Sequence, residues 1–491
     1  MNLKHIVRRL VIEALLQRHL VKRDLARWPL LERVALAGGT RVQDLSVREC
    51  DERWDARPER SIAAEAFSSC SLQEEIDALA ETGGTLFLPA GCKELTVALE
   101  IPSHVRVLGC ARKTTLVFRG TAYGFIILGD DDKLVSGVHL ENLILRHVER
   151  PPEFTATVFL AHARDIVLRE LDVVDADGIG FFFADNTNRV QVTSCSVYRA
   201  AVEGFLFLRS VSDVLLTQCI AQGCGQSGML LADWRLLDDM DALDFNAQAH
   251  HAGSVVGFAA DDPGPVRITL DACVMRGNRK MGVCTDGTGF LRVMNSTIAD
   301  NQCEGITLDN GTWCAHIMNC HIVGNGRRAL QHELELNEDF VNQDGLMDDG
   351  SSRIKLPGIS SDNAVYCRIE NNLIENNYGD GVKFVRSAYA CTVKGNSIIS
   401  NNRGGDPVHW RSGVLIDAHP QQRLGQITFP CTQLRVVDND IIGKHRMGIT
   451  IAPGCVDNEV YGNRIDGYEA KAISNTSLAP NSVQEPPIIT S

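Results

Sequence analysis

Acidic residues recur in this sequence at a spacing that would stack them. Four residues after Gly257, Gly282 and Gly305 come Asp261, Asp286 and Asp309, and with Ala329 in the next glycine position Glu333 follows. The intervals are 25, 23 and 24 residues, and Asp417 stands in the same relation to Gly413. On strands about 4.8 Å apart such carboxylates resist joint ionisation. A cation such as Ca2+ held by Asp261, Asp286 and Asp309, a shared proton, or side chains splayed into water would each relieve them. The last needs no function, because aspartate often ends strands at turns. Acids on adjacent levels suit the roughly 5 Å of a retaining glycosidase pair, and acids two levels apart the roughly 9 Å of an inverting pair. Removal of a proton beside a uronate carboxylate calls instead for an amine. Lys383, two residues after Gly381, is placed for that, although a solvated lysine reads the same way.

Basic residues accompany the acids two positions before the glycines: Lys280, Arg327 by the same Ala329 alignment, Arg411 and Arg446. They could track an anionic chain, with Trp410 offering a stacking face for a sugar ring, or be ordinary surface arginines beside a buried tryptophan. One residue nearer the glycine stand Asp177, Glu203, Glu304 and Asp380, which are expected to serve the turns. The histidines His250, His251, His332, His409 and His419 show no metal spacing.

The elements that must position these residues follow from a repeat of about 24 residues. Glu170, Ser194, Gln218, Ala272, Asn295, Asn319, Asn371, Asn396, Asn439 and Asn463 mark one turn per repeat, where stacked Asn side chains can bond one another. About 14 residues later a glycine precedes a four-residue strand; there it is expected to supply an unusual backbone angle. First and third strand residues, such as Ile306 and Leu308 or Val414 and Ile416, point inward. Swollen intervals near 233–252, 334–362 and 418–433 must leave the stack as loops.

Ser71 and Glu74 form a capping box that opens a short helix ending at Gly83-Gly84. That helix, GGTLFLPAG at Gly83 to Gly91 and IPSHVRVLG at Ile101 to Gly109 resemble the opening coils of pectate lyase-like right-handed β-helix proteins. The resemblance covers about residues 70 to 470 and implies an all-β, right-handed parallel β-helix solenoid with a short N-terminal helical segment. Its members include polysaccharide lyases, glycoside hydrolases, uronate epimerases and phage tailspikes, so it implies fold more firmly than activity. The uronate epimerase string DPH is absent, its nearest match being Asp406-Pro407-Val408-His409, and the paired-aspartate strands of polygalacturonases are missing. No family catalytic residue is carried over.

The expected organisation is an amphipathic helical segment over 1–50, a linker over 51–70, the solenoid over 71–475 and a tail over 476–491. Among 491 residues, 44% hydrophobic and 22% charged, the formal net charge of −14 argues against nucleic acid as partner. No run of 18 apolar residues predicts a membrane span. The basic, interrupted start of the chain lacks a signal-peptide pattern, and the 16 cysteines partly follow the repeat, as with Cys195 and Cys219. Reduced thiols in the cytoplasm are therefore expected. The expected function is binding and cleavage or modification of an acidic, uronate-containing polysaccharide, with lyase chemistry preferred to hydrolysis. The alternative is a non-catalytic polysaccharide-binding or structural solenoid, tailspike-like or part of a surface assembly. A homotrimer would bury the outward Leu206, Leu208 and Leu230.

Overall fold

The structure, a computed structural model, describes residues 61–63, 72–110, 113–130, 132–149, 155–232, 264–327, 356–385, 387–403, 412–417, 430–478 and 480–485. The expected segment 1–50 lies outside them. A helix at Leu72–Asp77 buries Leu72 and Ile76, and its continuing turn ends where the Gly83 N–H donates to the Leu79 carbonyl. From there the chain winds into stacked parallel strands. Among the described residues, thirteen strands form one sheet and twenty-seven form a second, which folds at a tight corner into two columns. Ser61–Ala63 pairs with Gly84–Phe87, and Ser482–Val483 pairs with Glu459–Tyr461. The stack therefore begins inside the expected linker and runs past residue 475.

Each coil contributes one strand to the thirteen-stranded sheet, and strict alternation decides its faces. Val283, Ile306, Leu308, Ile359, Val382, Phe384, Val414, Ile416, Ile449 and Ile451 are buried in the coil interior. Phe181 stacks on Phe205 and Phe183 on Phe207 at centroid distances of 5.1 and 4.6 Å. In-register parallel pairing makes equivalent side chains neighbours, which is how these phenylalanines come to stack.

The turn markers divide into two neighbouring positions. Glu170, Ser194, Gln218, Ala272, Asn295, Asn319 and Asn371 take the left-handed conformation, with φ between 50 and 56°. Asn396, Asn439 and Asn463 sit one residue further on and form a buried ladder with Asn372. Each side-chain amide donates to the next side-chain carbonyl at 2.9 Å. A second ladder, Asn278, Asn301, Asn325, Asn377 and Asn401, lines the corner before the thirteen-stranded sheet at 2.8 to 3.0 Å.

The strand glycines answer to space and not to torsion. Among Gly282, Gly305, Gly358, Gly381, Gly413 and Gly448 none has a positive φ. A Cβ on Gly305 would approach the Gly358 carbonyl oxygen at 2.6 Å and Ile322 Cγ2 at 2.9 Å. The corner closes only where no side chain intervenes.

The described cysteines are free thiols. Cys367, stacked beneath Cys391, is pushed well up by burial. Leu206 and Leu208 are 2% and 5% exposed within the single chain, in an apolar cluster with Phe159 and Phe182. Their burial needs no second copy, whereas Leu230 of the same column is only half-buried. No helix of the described residues is long and apolar enough to cross a membrane.

Candidate functional site

Strand register decides which acids meet. Met229–Ala232 bonds directly to Val283–Asp286, with Ala232 opposite Asp286. That leaves no strand between them for Asp261, which lies outside the described residues. Asp286 pairs with Asp309. The next strand is Ile359–Asp362, set against Ile306–Asp309 from Ile306↔Ile359 to Leu308↔Ser361, so Asp362 follows Asp309. The next glycine position therefore belongs to Gly358 and not to Ala329, because an insertion of unknown length hides the register from simple spacing. Glu333 lies outside the described residues, and Asp362, four residues after Gly358, takes the place expected for it. One carboxylate oxygen each of Asp286 and Asp362 is shielded from solvent.

Val385, opposite Asp362, interrupts the acids. Asp417 resumes them, its N–H donating to the Phe384 carbonyl at 2.9 Å. Lys383 projects from the same face between Ser360 and Leu415 and is half-buried.

Beside it lies an acid that spacing alone marked as a turn residue. Asp380, 8% exposed, accepts the Ser412 N–H at 2.6 Å. Burial pushes its carboxyl up to about 7; the Lys383 ammonium and the Ser412 hydrogen bond pull it down, and the Asp417 carboxylate pushes it further up. Lys383 and Asp417 therefore both lie within electrostatic reach of Asp380. Glu203, five coils earlier in the same register, is also pushed to about 7 by burial, against the pull of Lys280. On the outward face Cys284 is pushed well up, by burial first and then by the Asp309, Asp286 and Glu304 carboxylates.

The basic column does not hold together. Leu356, two residues before Gly358, occupies the place expected for Arg327, which is exposed elsewhere on the corner. Trp410 and Arg411 lie outside the described residues, as do His250, His251, His332, His409 and His419. Lys280 and the exposed Arg446 belong to coils five levels apart, about 24 Å at about 4.8 Å per level.

Among the described residues no three His, Cys, Asp or Glu side chains converge as a metal site. Asp261, the third ligand expected for Ca2+ beside Asp286 and Asp309, lies outside those residues. His316 and His321 instead pair with Glu370 and Glu375 on the adjoining coil, each at 2.9 Å.

The missed residues left different traces. Asp362 obeys the glycine-plus-four rule once Gly358 is used. Asp380 was visible as a recurring acid, but its burial depends on packing that spacing does not report.

No protein-family model matches the sequence, and no curated relative does. Solved structures do match. The A-module of the Azotobacter vinelandii mannuronan C-5 epimerase AlgE4 is 14% identical over 84% of this chain and 94% of its own, with a TM-score of 0.55. The catalytic unit of a GH87 α-1,3-glucanase from Streptomyces thermodiastaticus is 12% identical over 84% of this chain and 70% of its own, with a TM-score of 0.59. At such identities the likeness is one of architecture alone: the chain shares the right-handed parallel β-helix fold of these structures.

Proposed function

We propose that this protein binds a uronate-containing polysaccharide along the thirteen-stranded sheet and cleaves it by β-elimination at Asp380, Lys383 and Asp417. The observation that carries the reading is Asp380, an acid held near neutrality within electrostatic reach of an amine on its own coil and a second carboxylate on the next. In the reaction the Lys383 amine, after its ammonium proton has passed to solvent, takes the proton on the carbon next to the uronate carboxyl. The electron pair forms the new double bond, the bond to the glycosidic oxygen breaks, and protonated Asp380 donates to that oxygen. Asp286, Asp309 and Asp362 accept hydrogen bonds from sugar hydroxyls along the approach.

The test is a panel of uronate polymers incubated with the protein, Lys383→Ala and Asp380→Asn. A rise in absorbance from the unsaturated product, lost in both variants, supports the reading. New reducing ends without that absorbance assign hydrolysis instead. Binding without turnover leaves the non-catalytic alternative.

A further inference from the structure

A second apolar cluster stands outside the coil interior, at the corner after the acids. There Gly289, Trp313, Val365, Tyr389, Thr432 and Val456 bridge successive coils in order. Four residues after Asp286, Asp309, Asp362 and Val385 come Phe290, Trp313, Tyr366 and Tyr389, an aromatic in each of four consecutive coils. Phe290 meets Trp313 edge to face at a centroid distance of 4.3 Å, and Tyr366 meets Tyr389 likewise at 5.7 Å. Trp313 is 8% exposed, while Phe290, Tyr366 and Tyr389 keep part of their surface in solvent. A Cβ on Gly289 would fall 2.5 Å from the indole, so the missing side chain is what seats the ring.

We infer that this strip is a stacking platform for the ring faces of a linear polysaccharide running parallel to the solenoid axis, an inference that rests on the carbohydrate reading above. Two observations carry it. The strip ends at the coil of Lys383: further along, beside Asp417 and beyond, the same corner is closed by Thr432 and Val456, so closure itself needs no aromatic. Its four rings also span three coil levels, about 14 Å at about 4.8 Å each, a rise comparable to one pyranose per coil. The apolar C–H face of a sugar packs on an aromatic ring, as bases do on single-strand binding proteins, without regard to charge. The aspartates four residues upstream then face the hydroxyls at the ring edges.

The experiment compares the full chain with the double variants Tyr366→Leu/Tyr389→Leu and Tyr366→Phe/Tyr389→Phe, by affinity electrophoresis in gels containing a uronate polymer or a neutral glucan. The leucine variant is expected to weaken binding to whichever polymers the parent retains by the same factor, roughly tenfold for two lost ring contacts, with an unchanged urea midpoint. The phenylalanine variant is expected to bind like the parent, because the ring and not the hydroxyl makes the contact. Equal binding by parent and leucine variant overturns the strip alone, and so does equal loss in both variants. A parent that binds no polymer overturns the strip together with the function proposed above.

Discussion

Replacing Asp380 by Asn should make the protein more stable above neutral pH. In the folded chain burial raises this carboxyl from 3.8 to about 7, whereas the unfolded chain returns it to its ordinary value. Between those values the folded state holds a proton that the unfolded state has released, so stability falls as pH rises from about 4 and levels off above 7. About three pKa units at about 1.4 kcal/mol each set an upper limit of about 4 kcal/mol. Asn stays neutral and keeps an oxygen to accept the Ser412 N–H, so it escapes that loss. Urea unfolding of both proteins between pH 4.5 and 8.5, followed by circular dichroism, isolates the effect as a difference in which the other carboxylates cancel. The difference should be near zero at the acid end and grow in favour of the variant through neutrality, while turnover is lost. A difference that is flat with pH, or that favours the parent above pH 7, refutes the buried-acid assignment and the role built on it.

Further outcomes follow from the same geometry. Glu203→Gln should show the same sign over a narrower window, from 4.5 to about 7, in the same unfolding series, and without loss of turnover. His445, 1% exposed and lowered to about 4 by burial, accepts the Asn401 N–H at the end of a ladder. The unfolded chain gains its proton first, so stability is lost as pH falls from 6.5 towards 4. His445→Asn should flatten that acid limb. Asn325→Ala removes a buried link bonded to Asn301 and Asn377 and should lower the unfolding free energy by about 2–3 kcal/mol, read by urea denaturation. Among the described cysteines only Cys92 and Cys110 are exposed. They should be alkylated rapidly in the native protein, and mass mapping should find Cys367 and Cys431 protected until urea is added.

The solenoid was legible because one short rhythm decides it. Glycine spacing predicts the inward Ile306, Leu308, Val382 and Phe384, which are buried as expected. The Asn corner was legible in kind and slipped by one residue. Asparagine suits both the left-handed position, as at Asn371, and the inner ladder position beside it, as at Asn372; only the interval of 25 from Asn371 to Asn396 betrays the change. The second ladder was equally readable at Asn278, Asn301 and Asn325, spaced 23 and 24 apart. Insertions defeated the acid column at Asp261 and Glu333, since pairing and not counting identifies the neighbouring strand. Asp380 was visible as a position and invisible as an environment, because desolvation belongs to the assembled coil.

The Asn325 to Asn377 hydrogen bond spans 52 residues, yet at 3.0 Å it matches the links that span 24. Closing the longer excursion adds only about 0.7 kcal/mol of chain entropy by the logarithmic dependence on loop length. The joint between these coils is thus a port. A foreign domain whose ends lie close together could replace residues 328–355 and leave the polar ladder beneath it continuous, while its cargo is presented on the corner that carries Asp380.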